Sequence, residues 1–221
     1  IMPSLVGSEM CIRDRINDIK EERFNPMGVS DAELAELHAK KFAVMDDAVG
    51  EKMQERILQA KSELNSVGGV IEAIALHLPA GIGAPYFDSV ESMLSHALFS
   101  VPAVKGVEFG DGFGFAGLTG AEANDALHYV DGRVQALTNH NGGITGGITN
   151  GMPLVVRVAI KPTPSIAREQ HTVSLKEQAD TTLAIVGRHD PCIVQRAVPV
   201  IEAVVAWTLW DLLLEAKKWE K

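Results

Sequence analysis

Three segments carry residue types whose spacing suits chemistry on an anionic ligand. Arg188-His189-Asp190 sets a guanidinium and a carboxylate two residues apart, after a predicted strand and before an apolar helix. A planar guanidinium suits two-pronged recognition of phosphate or carboxylate, and the carboxylate can orient it or handle a proton. The same triplet also makes a plain ion pair at a strand–helix junction, and spacing leaves both readings open. Lys161-Pro162-Thr163-Pro164-Ser165 places one cation and two hydroxyls on a loop stiffened by its prolines. Such a loop clamps a phosphate or a ring edge at little entropic cost, or is simply a surface turn. Asn139–Gly151 reads NHNGGITGGITNG. Its glycines allow positive φ and close backbone approach to a phosphate or a flat ring. It lacks the Gly-Lys-Ser/Thr ending of a P-loop, and a strand rather than a helix follows it, which excludes a dinucleotide fingerprint. A tight hairpin between strands is the alternative.

Other chemistry-bearing residues read as structural. His38 and His96 sit in helical patterns with no His, Asp or Glu four residues on, so no metal site is expected. His140 inside the glycine loop is a ligand contact or, more simply, a solvated loop residue. Cys192 lies at a helix entrance without a neighbouring base pair-mate and reads as a packed thiol. Trp207, Trp210 and Trp219 read as core or subunit-interface residues.

The elements that must position these segments follow from pattern. Ser30-Asp31-Ala32-Glu33 has capping-box spacing and opens a helix with Leu34 and Leu37 on its apolar side. Asp46–Leu64 carries a second amphipathic helix. Val70–Leu78 is a β-branched apolar run and reads as a strand covered on both faces. Asp88 or Ser89 caps a helix running to Phe99, and Val104–Phe109 and Pro153–Ile160 read as strands. Glu122–Asp131 is polar and without a pattern. Thr172–Ser174 and Thr182–Val186 read as short strands. Ile193–Leu214 is apolar at 16 of 22 positions and is expected to lie in the core between layers, started or kinked at Pro199. Strands and helices mix without strict alternation, so the fold class is α+β, layered.

A length of 221 residues suits one domain or two small ones. With 20 basic and 29 acidic side chains, the net charge of −9 argues against a nucleic-acid or anionic-membrane surface, though not against a small basic pocket. The apolar C-terminal helix is interrupted by Gln195, Arg196, Pro199, Glu202 and Asp211 and does not read as a membrane span. Two cysteines make no disulfide framework, and a reducing, cytoplasmic setting is the default. Leu5–Arg15, LVGSEMCIRDR, is similar to the translation of a transposon-type sequencing adapter. Residues 1–15 are therefore expected to be a sequencing artefact, with residues 16–221 the C-terminal part of one longer domain.

Six collinear stretches, among them NSVGGVIEAIA, PAGIGAPYFDSVESMLSHAL, VPAVKGVEFGDGF, NHNGGITGGITNG, VRVAIKPTPSIA and GRHDPCIVQRAVPVIEA, resemble chorismate synthase over about Phe24 to Leu214. The resemblance implies helices packed between antiparallel sheets and a homotetramer. It implies 1,4-elimination of phosphate from 5-enolpyruvylshikimate 3-phosphate to give chorismate, in the shikimate route to aromatic amino acids. The cofactor implied is reduced FMN, in a family also associated with NADP; the overall reaction has no redox change, and the resemblance leaves open whether a fused reductase or a separate donor reduces the flavin. Carried over by motif, the FMN contacts are Pro102, Ala103, Gly146, Lys161, Pro162, Thr163, Pro164, Ser165 and Arg188. Arg188 also binds phosphate, and Asp190 assists proton transfer near flavin N5. Pro102 and Pro164 stand where relatives carry Asn and Ser, which removes a side-chain contact at each. The family's N-terminal active-site histidine and phosphate-binding arginines have no counterpart in this sequence, so the chain as written is expected to be inactive. The rival reading is a non-catalytic flavin- or phosphate-binding module.

Overall fold

Helix starts follow their capping residues closely. In the computed structural model, which describes residues 9–20, 26–130 and 132–217, the Ser30 hydroxyl accepts the Glu33 N–H. The Glu33 carboxylate accepts the Ser30 N–H at 2.8 Å in return, and α1 (Asp31–Ala39) begins there. Asp46 accepts the N–H groups of Ala48 and Val49 and opens α2 (Asp47–Ser62). Ser89, rather than Asp88, accepts the Ser92 N–H and opens α3 (Val90–Phe99). The fourth helix, α4, runs Val194–Lys217 with Pro199 inside its second turn, so the helix does not start at the proline, which leaves the Gln195 carbonyl without the N–H another residue at 199 would offer.

The strands are β1 (Glu9–Ile16), β2 (Ile19–Lys20), β3 (Gly69–Ala75), β4 (Val104–Phe109) and β9 (Leu154–Ile160) in one antiparallel sheet of order β2-β1-β3-β9-β4. Three two-stranded hairpins complete the set: β5 (Leu127–Val130) with β6 (Arg133–Ala136), β7 (Ile144–Thr145) with β8 (Ile148–Thr149), and β10 (Gln170–Ser174) with β11 (Ala179–Leu183). β1 falls largely within the adapter-like segment. It pairs with β3 from Glu9 opposite Ala75 to Ile16 opposite Gly69. The bonds are main-chain to main-chain, so they specify an extended segment rather than particular side chains. Residues 1–8, Phe24 and Trp219 lie outside the described residues.

The central strands β3 and β9 alternate between two buried faces. Ile71, Ala73 and Ala75 with Val156, Val158 and Ile160 face α2, α3 and α4 in the main core. Ile74 and Val155 face the opposite way, under Leu34 and Leu37 of α1. That second face also carries a charged row, Glu72 opposite Arg157 and Arg157 opposite Glu108. Glu72 and Arg157 are buried, and Arg157 Nε lies 2.8 Å from Glu108 Oε1 while its Nη2 donates to the Gly110 carbonyl.

Three sequence expectations are corrected. α4 does not lie between layers in this chain. Val194, Val198, Ile201, Val205, Leu209, Leu212 and Leu213 pack inward, whereas Val200, Trp207 and Leu214 are exposed at 44%, 73% and 44%. Among the described residues α2, α3 and α4 cover one face of the sheet and α1 part of the other, so α4 has the sheet on one side only. By length and composition α4 can also span a membrane, its interruptions notwithstanding; the inward stripe shows it serving as a core helix. The polar stretch before Asp131 contains a strand, because His128 and Val130 alternate with exposed Leu127 and Tyr129 on an outlying hairpin. The strand expected at Thr182–Val186 is β11, ending at Leu183, since pairing with β10 fixes its register and leaves Val186 98% exposed.

Candidate functional site

Antiparallel pairing decides which segments meet. Ile160 at the end of β9 lies opposite Gly69 at the start of β3 and Val104 at the start of β4. Lys161, Gly68 and Ala103 are therefore neighbours at one end of the sheet, and the Lys161 N–H donates to the Ala103 carbonyl at 2.9 Å. α4 begins at this same end: a Cβ added at Gly69 would come within 3.2 Å of Val194. The preceding corner, Arg188–Pro191, is tied to the sheet by the Val67 N–H, which donates to the Pro191 carbonyl at 2.8 Å. The Ser66 hydroxyl donates to the Thr163 carbonyl at 2.6 Å. Pro102–Ala103, Lys161–Ser165 and Arg188–Asp190, scattered in sequence, thus share one end.

The chemistry of that end is cationic. Lys161 and Arg188 are exposed, and no carboxylate among the described residues pairs with either. Asp190 is committed locally: its Oδ1 accepts the Cys192 N–H at 3.1 Å and its Oδ2 lies 3.5 Å from Arg196 Nη1. His189 Nε2 lies 3.0 Å from the Ile185 carbonyl oxygen. The Thr163 hydroxyl oxygen is buried with no partner, which leaves one polar group in the clamp for a ligand to satisfy. Ala103 has φ of +76°, a left-handed conformation disfavoured for any residue with a Cβ, and such strain collects at binding sites.

Gly146 does not join this group. The glycine segment is a hairpin, as one of its two sequence readings held, with Gly146 and Gly147 (φ +62° and +89°) as the two-residue turn between β7 and β8. It sits at the far end of the sheet, one β9 length or about 20 Å from Lys161. There Gly147 packs against Ala84 and Ser89 and accepts the Val90 N–H.

The profile of the family described as chorismate synthase matches residues 5–214. The chain belongs to the chorismate synthase family. It is 51% identical to the chorismate synthase of Thermococcus gammatolerans over 79% of this chain and 49% of that protein. It is 47% identical to that of Synechococcus sp. over 90% of this chain and 54% of that protein. A crystal structure of chorismate synthase superimposes with a TM-score of 0.75 at 28% identity, covering 94% of this chain and 57% of that one. The chain thus spans about half the length of the chorismate synthases it matches. The mixed α+β architecture with an antiparallel sheet agrees with that structural neighbour.

Two groups in this chain escaped the sequence reading. His140 is not a solvated loop residue: its Nδ1 lies 2.6 Å from the half-buried Asp111 carboxylate. Asp125 lies in a polar stretch that has no pattern to single it out. It accepts the N–H groups of His140 and Asn141, the Asn141 side-chain amide and the Thr138 hydroxyl, and so anchors the glycine segment. Burial raises its pKa, but these donors outweigh that and hold the carboxyl below its usual range. A depressed folded-state value stabilises the fold above the unfolded pKa and is lost as pH falls through the folded one. Asp125→Asn is therefore expected to lower the melting temperature at neutral pH, with the gap to the wild type closing below about pH 4. Thermal melts of both proteins across pH check this, and a constant gap would contradict it.

Proposed function

We propose that this chain carries the cofactor- and phosphate-binding end of a chorismate synthase. The enzyme would eliminate phosphate from 5-enolpyruvylshikimate 3-phosphate to give chorismate, with reduced FMN, in the cytoplasm and as a homotetramer. The observation that carries this reading is the convergence of Ala103, Lys161–Ser165 and Arg188 at one sheet end, with two unpaired cations and an unsatisfied Thr163 hydroxyl. Glycine supports the fit: a Cβ at Gly68 would lie 2.4 Å from the Ile160 carbonyl, so only glycine lets the β3 turn seat flush under the loop.

Reduced flavin, when bound, supplies the electron density that helps the phosphate depart. Lys161 and Arg188 would hold anionic oxygens of cofactor or substrate by charge-assisted hydrogen bonds. The prolines at 162 and 164 keep the Thr163 and Ser165 hydroxyls in place before binding, which lowers the ordering cost. Asp190, whose Oδ1 accepts the Cys192 N–H, would be the carboxylate that takes or returns a proton near flavin N5. Gly146 would contact the ligand from the other sheet end, reaching it only across the molecule or from another copy.

Anaerobic titration of reduced FMN tests the reading. Lys161→Ala and Arg188→Ala are each expected to weaken binding about 10- to 100-fold, since charge-assisted hydrogen bonds contribute roughly 1.5–3 kcal/mol. Affinity unchanged in both variants would sink it. Because the chain spans half of its relatives, we also propose that it is inactive alone; phosphate release dependent on reduced FMN would overturn that. Residues 1–15 we attribute to an adapter-derived segment that fills the β1 slot through main-chain bonds. Sequencing the source DNA upstream of the Ile16 codon decides it.

A further inference from the structure

We propose that Ser66 is a positioning residue for the Lys161–Ser165 loop, a hydroxyl clip that sets the loop's pose toward an anionic ligand. The proposal rests on the reading of that loop given above. Pro162 and Pro164 have no N–H, so the loop can be tied down only through its carbonyls or through the N–H groups of Lys161, Thr163 and Ser165. Lys161 is tied at the base by the Ala103 carbonyl at 2.9 Å. Gln170 reaches the Pro164 carbonyl at 3.2 Å from an exposed position. The middle of the loop is held by Ser66, whose Oγ donates to the Thr163 carbonyl at 2.6 Å across 97 residues of sequence.

Ser66 is itself well placed to act as a fixed point. Its N–H donates to Asn65 Oδ1 at 2.9 Å, and the next residue, Val67, is buried at 4% exposure. Val67 also donates to the Pro191 carbonyl, so one turn of chain touches both the proline loop and the Arg188–Pro191 corner. A Cβ at Gly68 would lie 3.0 Å from Pro162 Cδ, which shows how closely that turn is seated against the loop base. The clip thus couples the position of Lys161–Ser165 to that of Arg188–Asp190. With the carbonyl of Thr163 drawn toward Ser66, the residue's unpartnered hydroxyl is the group left for a ligand.

The test compares wild type, Ser66→Ala and Ser66→Thr in the full chain by amide hydrogen exchange, reduced-FMN titration and thermal melting. Ser66→Ala is expected to speed exchange at Lys161, whose N–H bonds the Ala103 carbonyl at the loop base, and to weaken FMN by up to about tenfold, the reach of one hydrogen bond. Its melting temperature should stay within about 2 °C of wild type, because the lost bond serves a surface loop. Ser66→Thr, which keeps the hydroxyl, should restore both affinity and protection. Wild-type FMN affinity in Ser66→Ala overturns the proposal and leaves the loop's assignment standing. Should wild type itself take up no FMN, that assignment fails and exchange at Lys161 decides the clip: faster exchange in Ser66→Ala supports it, unchanged exchange overturns it.

Discussion

Replacing Arg157 with alanine is expected to cost about 3–5 kcal/mol, as removing one partner of a buried ion pair does. Arg157 is 4% exposed, stands between Glu72 and Glu108 in the ladder, and donates to the Gly110 carbonyl. Its loss would leave the Glu108 carboxylate without the guanidinium 2.8 Å away and the Gly110 carbonyl without its donor. Against a domain stability of roughly 5–15 kcal/mol, that loss brings the chain near unfolding at room temperature. Urea denaturation followed by circular dichroism reads it. Exchanging Glu108 and Arg157 together for glutamine and methionine should cost much less, because no carboxylate is then left without its cation. Equal damage from the single and the double replacement would show that packing, not charge pairing, is what Arg157 contributes.

The second large effect concerns the outer face of α4. Val200, Trp207 and Leu214 recur every seven residues on the side turned from the sheet, and Phe99 at the end of α3 is exposed as well. Large apolar side chains repeated along one exposed helix face mark a contact face. The 221-residue chain is expected to bind a hydrophobic dye strongly and to self-associate. Trp207→Glu should suppress both while leaving the urea midpoint nearly unchanged, since at 73% exposure Trp207 contributes little to this chain's core. Dye fluorescence and sedimentation velocity measure the two. A wild-type chain that stays monomeric and dye-free would contradict the expectation. The layered arrangement expected from the family resemblance requires a further layer over this face, and the chain spans only about half of its relatives' length.

Local signals were legible wherever a single residue type answers a local physical need. Ser30, Asp46 and Ser89 marked helix starts because unpaired first-turn N–H groups demand an acceptor. β4 was readable to the residue and β9 to within one, whereas β3 ends at Ala75, three residues before the end of its apolar run at Leu78. The β5–β6 hairpin was not legible, because an exposed ribbon needs no apolar alternation facing a core. Asp125 was equally silent: its four hydrogen bonds come from residues 13 to 16 positions away, and no spacing rule reaches that far.

The sequence by itself determined the fold class, most element positions, the family and the residue types able to hold an anion, because those depend on periodicity, turn chemistry and collinear order. Only the tertiary structure decided which of them meet. Antiparallel pairing at Ile160 brings Lys161 beside Ala103 and Gly68, while the same strand carries Gly146 to the far end. Nor could composition tell which side of α4 is covered. An apolar helix is compatible with burial on both faces, and the number of layers packed against it is a property of the assembled chain.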